Sequence, residues 1–119
     1  MKVMKVGIAS FEDFRDRTMA IARGELHPTE DDPKIWFPST ESFARVLTAK
    51  NRDLLVTISK THPGSLEELA ESTGRAPSNL SRTLRTMERY GFVELHRGER
   101  GRIRPEVPYQ TITLELTLS

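Results

Sequence analysis

Between Ser65 and Pro105 the chain reads SLEELAESTGRAPSNLSRTLRTMERYGFVELHRGERGRIRP, and this stretch restricts the fold more than any other. Ser65-Leu66-Glu67-Glu68 has capping-box spacing, with a serine hydroxyl placed to satisfy an orphan amide and Glu68 placed to reach back. A helix therefore starts at Ser65 and buries Leu66, Leu69 and Ala70. Thr73-Gly74 ends it, because glycine takes the left-handed conformation of a helix exit without penalty. A second helix opens near Ala76, with Pro77 in the first turn where a missing amide proton costs nothing.

The second helix has two unlike faces. At about 100° per residue, Leu84 and Met87 fall within roughly 40° of Leu80 and form a core stripe. Ser78, Arg82, Arg85 and Arg89 lie opposite, flanked by Asn79, Ser81 and Thr86. Arginine bonds guanine bidentately in the major groove, asparagine does so with adenine, and serine and threonine reach bases or phosphates. On its own such a face is equally compatible with a solvated amphipathic helix.

The next residues favour the first reading. Gly91 closes the helix, Phe92 to His96 reads as a strand, Arg97-Gly98-Glu99-Arg100-Gly101 as a turn, and Arg102-Ile103-Arg104 as the return strand. Helix, turn, helix and basic hairpin in that order are the layout of a winged helix-turn-helix. Residues 75 to 104 hold eight arginines against Glu88, Glu94 and Glu99. Removing these from the 18 basic and 17 acidic residues of the chain leaves ten basic and fourteen acidic. A near-neutral total thus conceals a basic motif in an acidic remainder, the electrostatic footprint of a nucleic-acid binder.

Leu69-Ala70 through Gly74, then Pro77-Ser78-Asn79-Leu80-Ser81-Arg82-Thr83-Leu84, Met87-Glu88 and Gly91-Phe92-Val93 together resemble the core of MarR-like winged helix-turn-helix transcriptional regulators. The resemblance implies that Ser78, Asn79, Ser81, Arg82 and Arg85 occupy DNA-facing positions of a recognition helix. It also implies that the hairpin from Gly98 to Gly101 enters or flanks the minor groove. The chain leaves no room for the long terminal dimerisation helices of typical MarR proteins, and resembles instead small prokaryotic regulators that share this core.

Outside the motif, residues 2 to 8 favour a strand with Met4, Val6 and Ile8 on one side. Ser10 caps a helix in which Phe11, Phe14, Thr18 and Ile21 recur at helical spacing and which Gly24 ends. That stripe predicts core packing or a subunit contact. Residues 24 to 34 form an acidic, turn-rich linker. Its Glu30-Asp31-Asp32 with His27 nearby makes a solvated loop and no metal site, since one histidine beside a flexible turn falls short of the usual ligand sets. Ile35-Trp36-Phe37 reads as a short strand. Ser39 or Thr40 begins a helix carrying Phe43, Val46 and Leu47, and Thr48 with Asn51 begins the next, with Leu54, Leu55 and Ile58 inward. Lys50 and Arg52 at its start read as surface charge. His62-Pro63-Gly64 ends that helix. Pro105 to Pro108 reads as a rigid link. Thr111 to Leu118 alternates cleanly, with Ile112, Leu114, Leu116 and Leu118 on one face, and such a strand must pair and be covered. The N-terminal strand is an available partner, within the chain or across a dimer, and the Phe11–Phe14 helix an available cover.

The expected fold is therefore α+β: a winged helix-turn-helix of three helices and a hairpin over residues 39–105, a strand-helix extension over 1–38 that serves dimerisation, and a strand over 106–119 that packs with the extension. The expected function is sequence-specific binding of double-stranded DNA by a homodimeric transcriptional regulator, a repressor or autoregulator, through Arg75, Ser78, Asn79, Ser81, Arg82, Arg85, Arg89, Arg97, Arg100 and Arg102. The alternative is a winged-helix protein-interaction module, such as an antitoxin or an assembly subunit. No catalytic residues, metal or cofactor are expected. Cysteine is absent, His27, His62 and His96 are far apart, and no phosphate-loop glycine pattern occurs. Without cysteines, a membrane-length apolar run or a leader, the expected location is the cytoplasm. No effector is specified, since Trp36, Phe11 and Phe14 read as ordinary core.

Overall fold

Gln110 and Lys2 are fastened together by a reciprocal pair of hydrogen bonds. The computed structural model describes residues 2–118, and in it the Lys2 amide donates to Gln110 Oε1 at 2.8 Å while the Gln110 amide donates to the Lys2 carbonyl at 3.0 Å. From this clasp β1 (Val3–Ile8) and β5 (Thr111–Leu116) run parallel, Val3 beside Thr111 through Ile8 beside Leu116. On the other side of β1 lies β2 (Ile35–Phe37), also parallel, with Val6, Gly7 and Ile8 beside Ile35, Trp36 and Phe37. Parallel neighbours need a crossover, and α1 (Phe11–Ala22) provides the one between β1 and β2. Ser10 caps it as expected, its hydroxyl accepting from the Asp13 amide at 3.1 Å.

The chain is α+β, with five α-helices, this three-stranded sheet and a two-stranded hairpin among the described residues. It divides into two compact units, residues 1–45 with 109–119, and residues 46–108.

In the first unit, register partners share a face, so Met4, Val6, Ile8, Ile35, Phe37, Ile112, Leu114 and Leu116 line one side. Coverage of that side is uneven. Val6, Ile8 and Phe37 are buried, the last against Phe43 of α2 (Thr40–Val46) with ring centroids 5.5 Å apart, whereas Leu114 is 43% and Leu116 55% exposed. Helix α1 does not cover these leucines, contrary to expectation. It engages the opposite side, where Phe14 meets Trp36 at 5.9 Å and the Arg17 guanidinium stands 5.1 Å over the indole. Nor is its aromatic stripe a core, for α1 buries no residue and Phe11 is 81% exposed. A helix touching the sheet mainly through one indole leaves its first turn in water. Asp32 fixes the acidic linker by accepting from Arg17 Nη2 at 2.9 Å and the Thr29 amide at 3.0 Å.

The second unit contains α3 (Ala49–Thr61), α4 (Leu66–Thr73), α5 (Pro77–Arg89) and the hairpin of β3 (Glu94–Arg97) and β4 (Ile103–Glu106). Thr48 caps α3 through the Asn51 amide at 3.1 Å, and His62, left-handed at φ 47°, ends it. Ser65 caps α4 through the Glu68 amide at 3.2 Å. Glu68 does reach back, but to the amide of Gly64 and not to that of the capping serine. Gly74, at φ 73°, closes α4 by donating to the Ala70 carbonyl at 2.9 Å. The core holds Leu54, Ile58, Leu69, Leu80, Leu84, Met87, Phe92 and Val93, each at most 2% exposed. The hairpin is displaced along the sequence from its expected place. Phe92 and Val93 are spent on the core ahead of β3, and β4 continues through Pro105, which pairs with Leu95 instead of beginning a link. A proline is tolerated in a strand whose second edge is unpaired.

Candidate nucleic-acid interface

Helix α5 presents the polar face that its sequence spells out. Leu80, Leu84 and Met87 are fully buried, which fixes the helix rotation and turns Ser78, Asn79, Arg82, Arg85 and Arg89 to solvent, with Ser81 half-buried on the flank. Arg89 Nη2 donates to Thr86 Oγ1 at 3.3 Å. The guanidinium groups of Arg82 and Arg85 have no partner among the described residues, so two cations on adjacent turns remain free for an outside anion.

The hairpin adds a second cationic element. Its tip is a single 3-10 turn, Glu99–Gly101, with Arg100 left-handed at φ 59° and Gly101 at φ 71°. The Gly98 amide closes it onto the Arg102 carbonyl at 2.8 Å. Arg100 and Arg102 are exposed and unpaired among the described residues. Arg97, at the end of β3 next to the turn, instead ties the hairpin to α5, its Nη1 lying 3.4 Å from Glu88 Oε2.

Arg75 is differently placed. Half-buried between α4 and α5, its Nη2 donates to the Lys50 carbonyl at 3.3 Å and to Asn51 Oδ1 at 3.4 Å. Asn51 in turn donates to the Val46 carbonyl at 2.9 Å. Arg75 thus ties the turn to the start of α3 with part of its donor capacity. Nothing local in the sequence signals this tie, because its partner lies 24 residues away.

One cluster is completed only by the pairing of the hairpin strands. Glu94 and Glu106 face each other across the hairpin, and His96 Nε2 lies 3.4 Å from Glu94 Oε2 and 3.5 Å from Glu106 Oε1. Burial pushes the Glu106 carboxyl up, but hydrogen bonds from Arg104 and His96 and their nearby charge prevail and hold it below the usual carboxylate value. The three side chains offer ligand atoms within 4.8 Å of one another and could hold a cation. Glu94 shares the strand face of His96 two residues away, and Glu106 joins them once the hairpin register is set.

No helix among the described residues is long and apolar enough to cross a membrane. No curated protein and no solved structure matches the chain. A family model, HVO_A0114, matches residues 46–114, more than half of the 119 residues. The matched span runs from the end of α2 into β5 and includes α5, the hairpin and Arg75, Arg82, Arg85, Arg89, Arg97, Arg100 and Arg102. By that match the chain belongs to the HVO_A0114 family.

Proposed function

We propose that this protein is a sequence-specific double-stranded DNA-binding regulator of transcription, with α3, α4, α5 and the hairpin acting as a MarR-like winged helix-turn-helix. Helix α5 lies in the major groove, the hairpin serves as the wing on backbone and minor groove, and two copies read a palindromic site with half-sites about one helical turn apart. Repression or autoregulation follows from occlusion of the promoter. The observation that carries the reading is the pair of unpartnered, exposed guanidinium groups of Arg82 and Arg85 on a helix whose rotation the buried Leu80, Leu84 and Met87 fix. Arg100 and Arg102 supply further free cations for phosphate, and phosphate neutralisation makes binding strongly salt-dependent.

Selection of bound duplexes from a random pool at near-physiological salt tests it, with the R82A/R85A double variant as control. An enriched inverted repeat that the variant fails to recover is the expected result. No enrichment by folded protein, with an acidic protein captured through the same arginines, would transfer the basic face to a protein partner.

A further inference from the structure

The sheet of the first unit ends on an unprotected edge. In the order β2-β1-β5, strand β5 has one hydrogen-bonded neighbour, so half of its backbone donors and acceptors face outward. Natural edge strands discourage pairing with prolines, lysines, bulges or very short length. Six residues long, TITLEL carries none of these and has one charge, Glu115. Its apolar side is open as well, through Leu114 and Leu116.

We propose that β5 is the seam of a two-fold dimer, pairing antiparallel with β5 of a second copy of this chain so that two three-stranded sheets become one of six strands. The proposal rests on the DNA-binding reading for its purpose, since a palindromic site requires a two-fold axis, while its geometry follows from the strand alone. A second copy is the occupant because the strand is complementary to itself in one register. In an antiparallel pair directly opposed residues share a face, so the leucines of one copy meet those of the other only in alternate registers. With Leu114 on the axis, Leu114 faces Leu114, Ile112 faces Leu116, and Thr113 faces Glu115. Rows Met4–Ile112, Val6–Leu114 and Ile8–Leu116 within each copy then continue as apolar rows across the seam. On the other face Lys5, which also lies 3.9 Å from Asp31, stands beside Thr113, one strand from Glu115 of the second copy, which places a cation in the row of that exposed carboxylate. Moving the register two residues one way sets Glu115 against Glu115. Moving it the other way leaves Leu116 against Gln110, which already clasps Lys2. A two-fold pairing uses each edge once and closes, as isologous interfaces do.

The chain has no native cysteine, which makes single-cysteine variants of the full chain a direct probe. Under mild oxidation L114C cross-links to itself nearly completely, and I112C cross-links with L116C in an equimolar mixture far more than either does alone. Light scattering of the unmodified protein gives twice the chain mass, and L114K halves it with the circular dichroism spectrum retained. A monomeric unmodified protein overturns the proposal, as does a dimer in which L114C stays reduced. Should L114K fail to fold, the milder cysteine variants decide. A cross-linked dimer that selects no DNA sinks the DNA reading and leaves the seam intact, whereas a monomer that binds a DNA half-site does the reverse.

Discussion

Gly7 and Trp36 are register partners in the β1–β2 ladder, and the indole lies so close over the glycine that a methyl group there would collide with ring atoms Cε3 and Cζ3. The ring cannot easily retreat, because Phe14 and Arg17 hold its outer surface. Overpacking of this kind costs about 1–3 kcal/mol. Gly7→Ala is expected to lower stability by that amount in chemical denaturation. Trp36 is the only tryptophan, so native-state fluorescence reports the displaced ring directly. An unchanged emission spectrum with unchanged stability would show that the ring yields freely.

Asp32 makes the same region sensitive to acid. The Thr29 amide is the largest influence on its carboxyl, loss of hydration opposes it, and the Thr29 hydroxyl, Arg17 and Lys34 add to it. The net effect holds the carboxyl below its ordinary value. A folded-state pKa below that of the unfolded chain gives stabilisation that is complete above the unfolded value, about 3.9, and lost as pH falls through the folded value. Asp32→Asn is therefore expected to lower the melting temperature near pH 7, with the gap from the unmodified protein narrowing as pH drops below about 4. A gap independent of pH would contradict the ionised clasp.

Ser65 is the buried polar residue at the start of α4, 2% exposed, with its hydroxyl accepting from the Glu68 amide. Ser65→Ala removes that acceptor and leaves the amide without its partner, which costs about 1 kcal/mol for a helix cap. The expected result in urea is a lower midpoint at an unchanged slope. Asp at this position restores a cap acceptor, and its failure to recover any stability would point to packing around the serine as the larger contribution.

The parts of the fold that were legible in the sequence are those governed by neighbours a few residues apart. Ser10, Thr48, Ser65, Gly74 and Pro77 mark helix ends because capping and exit geometry depend on local backbone groups. Leu80, Leu84 and Met87 mark the inner side of α5 because the helical repeat is fixed. Partners distant in sequence left no such trace. The parallel registry of β1 with β5 joins residues 108 apart, as the Lys2–Gln110 contact shows; the apolar alternation makes the N-terminal strand an available partner but fixes neither direction nor register, nor whether the pairing stays within one chain. For the same reason the tie of Arg75 to Asn51 and the approach of Glu106 to His96 and Glu94 emerge only from tertiary placement. Of the two roles expected for the Phe11 stripe, packing in the core of the chain is the one the structure removes, because helical spacing identifies a face but not what lies against it.

Under the DNA-binding reading, the free arginines of α5 and those of the hairpin differ in what their loss does. A guanidinium bidentate to guanine discriminates between bases, so Arg85→Ala is expected to cost about 1–3 kcal/mol on the preferred site and to flatten preference at one base position. A guanidinium at phosphate discriminates nothing. Arg102→Ala is then expected to weaken binding about equally on all sequences and to reduce the slope of log affinity against log salt by about one. Arg97 gives an internal control, since its ion pair with Glu88 already engages its charge, and Arg97→Ala should change the salt slope less than Arg102→Ala does. Titrations of each variant on specific and scrambled duplexes at several salt concentrations separate these outcomes. Equal salt slopes for Arg102→Ala and the unmodified protein would place the hairpin off the phosphates.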